Sequence, residues 1–332
     1  MQTFTKANRN PARLANRLFS TGQSSVKRSY LYVPSSSDRL LEKSLTVKSD
    51  VIIYDLEDSV SPATADKESA RNRLHKFLQQ RSDIPHSERV AVRVNDVNSP
   101  FFQQDIAHIL QFPSVRTLIL PKIHSAQDLH FASRHIQQTY QKHHPNVETP
   151  LRIVPSIESA RALWNLGTIA GWQSEHDTLH GGAISGLLFA AEDYCADTAI
   201  IRTRSRQELL YTRSQIAIAA RAFGLEAIDM VCIHYKDLEY LKEECVDGRR
   251  LGFSGKQAIH PTQVEIIQST FVPTDQEILR AAKILHGMQA AHASQKGAIG
   301  LEGEMIDAPM IKQAEKIIQI AKEAGLKIPK VE

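Results

Sequence analysis

The sequence predicts a closed (β/α)8 TIM barrel followed by a C-terminal helical lid or oligomer extension. Three observations predict it. Eight short runs rich in Val, Ile and Leu alternate with amphipathic segments, and nearly every run ends in a polar residue. A chain of 332 residues also holds one barrel of roughly 250 residues with length to spare.

The first run, Ser29–Val33, ends in Pro34-Ser35-Ser36-Ser37, where a dinucleotide-binding open sheet would carry GxGxxG. The second, Val51–Leu56, passes into Asp55-Leu56-Glu57-Asp58 and then a helical pattern over Ala65–Gln79. The third, Val90–Val94, ends Arg93-Val94-Asn95, and the fourth, Arg116–Leu120, ends Pro121-Lys122 before a helix over Ala126–His143. The fifth, Leu151–Ile157, leads to Glu158 and a helix over Ser159–Ile169. The sixth, Ala183–Ala190, leads to Ala191-Glu192-Asp193, with a helix over Gln207–Phe223 beyond it. Ala227–Ile233 and Gln257–Ile259 complete the set, the last followed by His260-Pro261. Such alternation of brief, doubly buried strands with crossover helices favours a closed barrel. Two helical patterns, Asp275–Ala293 and Met310–Ala324, flank a Gly-bearing stretch at Lys296–Gly303 and exceed what closure needs. The predicted organisation is therefore a leader over 1–28, a catalytic barrel over 29–272, and a helical extension over 273–332.

The chain is 42% hydrophobic and 23% charged, an ordinary globular mixture. No stretch approaches the ~18 apolar residues of a membrane span. The net charge of +3 is misleading, because Lys6, Arg9, Arg13, Arg17, Lys27 and Arg28 precede the first acid, Asp38. Without those six, 34 basic residues face 37 acidic ones, so the body offers no nucleic-acid footprint. An acid-free, Arg-spaced, Ser/Thr-bearing start with no apolar h-region reads as a mitochondrial matrix presequence, cleaved after Phe19; the plain alternative is a basic tail. Cys195, Cys232 and Cys245 form no CxxC pair or even framework, which fits a reducing compartment.

In a barrel, chemistry belongs at the C-terminal ends of the strands. Carboxylates at three such ends beside Arg93 would repel one another unless a cation sits among them, and oxygen-only donors favour Mg²⁺ or Mn²⁺ over zinc. Asp58 alone also reads as a helix cap.

Nine ordered blocks sharpen this: Tyr30-Leu31-Tyr32-Val33-Pro34, YDLEDSV (54–60), VRVN (92–95), LPKI (120–123), PSIESA (155–160), AAEDY (190–194), AFGLEAID (222–229), GFSGKQAIHPTQ (252–263) and MIDAP (305–309). In them the chain resembles the citrate lyase β-subunit-like family of the HpcH/HpaI aldolase superfamily, nearest its mitochondrial citramalyl-CoA lyase-like branch, from Ser29 to about Gln319. The resemblance implies Glu158 and Asp193 as ligands of one Mg²⁺, with water and a 2-oxo acid completing the shell; from the residues alone, Glu158 equally well starts a helix. It implies that Arg93 contacts substrate, for which a planar fork suits a carboxylate. A buried salt bridge to Asp55 or Glu57 is the alternative, and the two are compatible. Tyr32, Arg39 and Lys43 match positions that bind the CoA thioester, although a basic i, i+4 pair is ordinarily a solvated helix face. Ile259 and His260 match a substrate-contact pair whose backbone groups would hold the pantetheine arm; His260 unaided reads as a strand-end histidine. Asp307 is implied as the catalytic acid or base, against a plain reading as the N-cap of the helix begun near Pro309.

The activity so implied is a reversible carbon–carbon lyase reaction. A 3-hydroxyacyl-CoA bearing a carboxylate, such as citramalyl-CoA, gives acetyl-CoA and pyruvate, and malate formation from glyoxylate is a side activity. Relatives also imply a homo-oligomer, a trimer being favoured, in which Asp307 serves its own or a neighbouring barrel. The competing readings are an aldolase of free 2-oxo acids and aldehydes, and a non-catalytic assembly subunit. Two departures bear on selectivity: Ser35-Ser36 stands where relatives often carry Gly-Asn, and Ala190-Ala191 where they often carry Gly-Gly.

Overall fold

The computed structural model describes residues 26–81, 83–293 and 298–331; the leader's basic residues up to Arg17 and its cleavage point after Phe19 lie outside them. Two compact units divide the chain, one built on Lys27–Ile267 and the other on Gln268–Glu332.

The first unit is the barrel. Its strands are β1 (Ser29–Pro34), β2 (Val51–Asp55), β3 (Val90–Arg93), β4 (Thr117–Leu120), β5 (Arg152–Ile157), β6 (Ala183–Ile184), β7 (Gly186–Phe189), β8 (Glu226–Asp229) and β9 (Gly255–Ala258). Each pairs in parallel with its neighbours, and β1 pairs with both β2 and β9, closing the ring. The short β6 and β7 both pair with β5 and form the sixth barrel strand, interrupted at Ser185, whose N–H still bonds Ile153 O at 2.9 Å. The helices are α1 (Asp38–Ser44), α2 (Thr64–Gln80), α3 (Phe102–Ile109), α4 (Ala126–His143), α5 (Ala160–Trp164), α6 (Leu166–Ala170), α7 (Thr178–Gly181), α8 (Ala191–Thr198), α9 (Leu210–Phe223), α10 (Leu238–Leu251) and α11 (Val264–Thr270).

Tyr30, Val51, Ile53, Ala91, Ile119, Val154, Leu188 and Ile228, drawn from seven strands, form one cluster inside the ring, none more than 2% exposed. At roughly 1.5–3 kcal/mol per large side chain, this layer outweighs any single polar contact in the barrel. Below it, Tyr30 donates to Glu226 at 2.6 Å, and Arg28 is ion-paired to Asp50 at 3.0 Å.

One helical segment and one strand differ from the periodicity. The pattern over 159–169 breaks at Asn165, whose side-chain amide donates to His124 O at 2.9 Å and pulls the turn out of α geometry. The seventh strand stops at Asp229, short of Ile233, because side chains take over the backbone groups beyond it: Lys256 Nζ donates to Met230 O at 2.7 Å, and Gln263 Nε2 to Cys232 O at 3.0 Å.

The second unit packs α12 (Asp275–Ala293) against α13 (Ala308–Glu323) around Ile278, Ala281, Ile284, Met288, Ile306, Ala314 and Ile318. Between them, β10 (Ile299–Leu301) and β11 (Glu304–Ile306) make an antiparallel hairpin. Glu302 and Gly303 both hold positive φ, 52° and 86°, as a two-residue type I′ turn requires.

Candidate active site

Polar side chains converge at the C-terminal mouth of the barrel, and helix side chains fix the loops that carry them. Lys67 on α2 is buried and donates to the carbonyls of Leu56 and Glu57 at 3.0 and 2.8 Å, holding the turn after β2 from behind. Arg71 on the same helix pairs with Asp105 at 2.7 Å, and Asp105 in turn accepts from the Asn95 backbone and side chain at 2.9 and 2.7 Å. The ends of β2 and β3 are thereby clamped before any ligand arrives.

Arg93 ends β3 opposite Asp55 on β2. It makes a two-pronged bond, Nε to Oδ1 at 2.7 Å and Nη2 to Oδ2 at 2.6 Å, while Nη1 lies 3.0 Å from Glu57 and its guanidinium stacks 4.7 Å over the Tyr32 ring. Burial alone would raise the Asp55 carboxyl, but the Arg93 charge and hydrogen bonds outweigh it and hold it below the ordinary range. Glu57 shifts the other way: burial raises it, aided by Asp58, although Arg93 and Lys122 pull it down.

Lys122 joins this cluster to a second one. Its ammonium contacts Glu57 Oε1, and its backbone N–H points at Glu158 Oε1. Lys122 is not glycine, yet its φ is 53°, in the left-handed region that L side chains avoid. Glu158 follows β5 and is buried. Its burial pushes the carboxyl up to about 8, the Lys122 N–H working against this and the charges of Asp193 and Glu57 adding to it. Asp193, in the first turn of α8, is half-buried. A buried Glu158 carboxyl that burial and the Asp193 charge drive toward protonation is what a divalent cation would relieve, and the hard oxygen donors of the two side chains fit Mg²⁺. No cluster of three His, Cys, Asp or Glu side chains suited to a metal occurs among the described residues, so any such ion would take its other ligands from water or substrate.

The predicted thioester residues gather where β1 meets β9. Tyr32 on β1 donates to Gln257 on β9 at 3.0 Å. Arg39 and Lys43 lie exposed on α1, directly after β1, with no ion pair among the described residues. Ile259 and His260 directly follow β9. Their N–H groups both bond Gln263 Oε1, at 2.8 and 3.3 Å, because that glutamine caps the following turn. The imidazole bonds Thr262 at 2.8 Å and packs on Tyr235. Asp307 belongs to the second unit. It is the N-cap of α13 by backbone, its carbonyl accepting from Met310 and Ile311 at 3.1 Å, but its carboxylate makes no capping bond.

Sequence reasoning passed over Lys122 as a junction and over a buried ion network that reaches α8. Arg202 bonds Glu192, the neighbour of Asp193, and also Glu244 at 2.9 Å; Lys256 lies 3.1 Å from Glu244, and Arg213 pairs with Asp229 at 2.7 Å. A cavity of about 460 Å³ opens beside this network, lined by Glu192, Cys195, Arg202, Arg204, His234 and Tyr240 among others.

With this geometry in place, comparison with known proteins decides the family. The HpcH/HpaI aldolase/citrate lyase model matches residues 28–261. The chain belongs to that family. Among its relatives are the mitochondrial citramalyl-CoA lyase of Rattus norvegicus, 31% identical over 89% of this chain and 86% of the relative, and the citrate lyase subunit beta-like protein of Deinococcus radiodurans, 32% identical over 88% and 96%. The solved CitE protein of Mycobacterium tuberculosis, in complex with magnesium, acetoacetate and coenzyme A, matches with a TM-score of 0.69 and 27% identity over 90% of this chain and 98% of that one. A citrate lyase from Burkholderia xenovorans, 21% identical with a TM-score of 0.77, shares the fold. This HpcH/HpaI family member is therefore an enzyme of the carbon–carbon lyase class.

Proposed function

We propose that this chain is a Mg²⁺-dependent lyase of a carboxylate-bearing 3-hydroxyacyl-CoA, with citramalyl-CoA giving acetyl-CoA and pyruvate and with malate formation from glyoxylate as a side activity. The observation that carries the reading is that the buried Glu158 after β5 feels the charge of Asp193 after β7, while Asp55 anchors the guanidinium of Arg93 at the same ends of β2 and β3. The names of the relatives and the magnesium, acetoacetate and coenzyme A of the tuberculosis protein support it.

Glu158 and Asp193 hold the cation, which when bound supplies Lewis-acid stabilisation of oxygen charge. Arg93, pre-oriented by Asp55, takes the carboxylate of the 2-oxo acid half and resists rotation because both prongs are already fixed. Arg39 and Lys43 meet the phosphates of the thioester, and Tyr32, Ile259 and His260 border the path between β1 and β9. In cleavage, the hydroxyl gives its proton to solvent water and its oxygen becomes the keto oxygen of pyruvate. The adjoining carbon–carbon bond breaks, and its electron pair passes to the methylene of the acetyl-CoA enolate. Asp307 in its acid form delivers the proton to that carbon, and as a base it removes the same proton in the condensing direction. Its carboxylate is not committed to capping, which suits the role. A homo-oligomer, with a trimer favoured by the family resemblance, and a mitochondrial matrix address complete the proposal.

The test is purified protein with Mg²⁺ and a panel of acyl-CoAs, each offered pyruvate and glyoxylate. Citramalyl-CoA should turn over best, and chelation should abolish turnover. Undiminished cleavage after chelation, or equal turnover of free aldehydes without a thioester, would refute the reading. The exposed Arg39–Lys43 pair argues for the thioester, since a small free aldehyde has no phosphate to meet it.

A further inference from the structure

The described contacts around Lys122 point to a role that neither the motif nor the family relationship assigns. Lys122 is the one mouth residue that touches both clusters, through two different parts of itself. Its backbone N–H is aimed at Glu158, and its ammonium reaches Glu57, which lies 3.0 Å from Arg93. The N–H can point that way because the residue adopts φ 53°. A lysine kept in this conformation, where glycine would sit without strain, indicates that the side chain is wanted there as well.

We infer that Lys122 is a positioning residue that sets the metal-ligand carboxylate Glu158 and the substrate arginine Arg93 in register, the first through its left-handed backbone N–H and the second through its ammonium and Glu57. This rests on the proposed roles of Glu158 and Arg93. It divides Lys122 into two separable functions. The ammonium governs the 2-oxo acid by way of Glu57 and Arg93: it offsets the Glu57 charge, and without it that carboxylate, still held by the Asp58 N–H, claims the Nη1 edge of a guanidinium that Asp55 keeps in place. The backbone governs the metal by way of Glu158, so any residue able to hold positive φ preserves that part.

Three variants separate the halves. Lys122→Gly keeps the left-handed backbone and loses the ammonium. Lys122→Val loses the ammonium and, being β-branched, resists positive φ. Lys122→Arg keeps a cation. Mn²⁺ binding is read by electron paramagnetic resonance, and the KM for pyruvate is read in the condensing direction, on full-length protein whose folding is checked by circular dichroism. Lys122→Gly should bind Mn²⁺ within about threefold of wild type while its pyruvate KM rises about tenfold, and Lys122→Arg should recover most of that rise. Lys122→Val should share the KM defect and also bind Mn²⁺ about tenfold more weakly, because a β-branched residue resists positive φ more than lysine does.

Unchanged pyruvate KM in Lys122→Gly overturns the ammonium role, and this arm stands even where Lys122→Val does not fold. Equal Mn²⁺ affinity in folded Lys122→Val and Lys122→Gly overturns the backbone role. Wild-type protein that binds no Mn²⁺ fails instead the reading of Glu158 and Asp193, and the inference with it, so the two failures are told apart by the wild-type titration.

Discussion

With Glu158 as the proposed metal ligand, protons and a divalent cation would compete for it, which makes metal affinity a steep function of pH. Burial, together with the charges of Asp193 and Glu57, carries the carboxyl from its ordinary 4.5 to about 8. At pH 6 only about 1% of such a group is ionised, and at pH 8 about one half. Because the metal binds the ionised form, the affinity for Mg²⁺ should rise about 50-fold from pH 6 to pH 8, close to one decade per unit, and level off above about pH 9. Each ion bound at pH 6–7 should release about one proton. The sign for stability runs opposite to that of a salt-bridged carboxylate. The folded value lies above the unfolded one, so in the metal-free protein the Glu158 contribution to stability is fully present below about pH 4.5 and is lost as pH rises toward 8. The loss is at most about 5 kcal/mol, and Mg²⁺ reverses it. Calorimetric titration of Mg²⁺ between pH 6 and 9, in buffers of different ionisation enthalpy, reads affinity and proton release together, and Glu158→Gln is the control in which both vanish. A dissociation constant that is flat from pH 6 to 8, with no proton released, would show that Glu158 is not the ligand that titrates.

Arg93→Lys should lower kcat/KM about 100-fold with Mg²⁺ affinity unchanged, because a point charge cannot replace the two-pronged bond to Asp55 and still face substrate; steady-state kinetics showing less than a fivefold loss would contradict the assignment. Asp307→Asn should nearly abolish turnover while sparing Mn²⁺ binding, and retained activity rejects Asp307 as the proton donor. Arg39→Gln combined with Lys43→Gln should raise the KM for the thioester about tenfold and flatten its dependence on salt, since two exposed cations act through screened attraction. Lys256→Met should cost about 3 kcal/mol in urea unfolding, because it strips the fully buried Glu244 of one of its two cations; a loss under about 1 kcal/mol would mean that Arg202 alone suffices.

What could be read in the sequence followed how local its cause was. The strands declared themselves because a strand buried on both faces leaves little but Val, Ile, Leu and Ala in a short run, and a polar residue just past it then stands out. Asp55, Glu57, Arg93, Lys122, Glu158 and Asp193 were all visible in this way, and the salt-bridge reading of Arg93 holds in a guanidinium that Asp55 grips while an edge stays near Glu57. The backbone was harder. A lysine carries no mark of left-handed geometry, and Gln263 looked like any surface glutamine until it took the N–H groups of Ile259 and His260. The hairpin at Glu302-Gly303 was missed because only its glycine advertised the turn. Least legible was the buried chain of charge from Arg213 through Asp229, Lys256 and Glu244 to Arg202, whose members come from α9, β8, β9, α10 and the loop after α8. Each of these residues alone reads as a solvated helix face or strand end. The parallel pairing of β8 with β9, with α10 crossing between them, buries Lys256 between Glu244 and Asp229. Since Arg202 then grips Glu192, one residue before Asp193, the seat of that proposed metal ligand follows from strand pairing rather than from any motif around it.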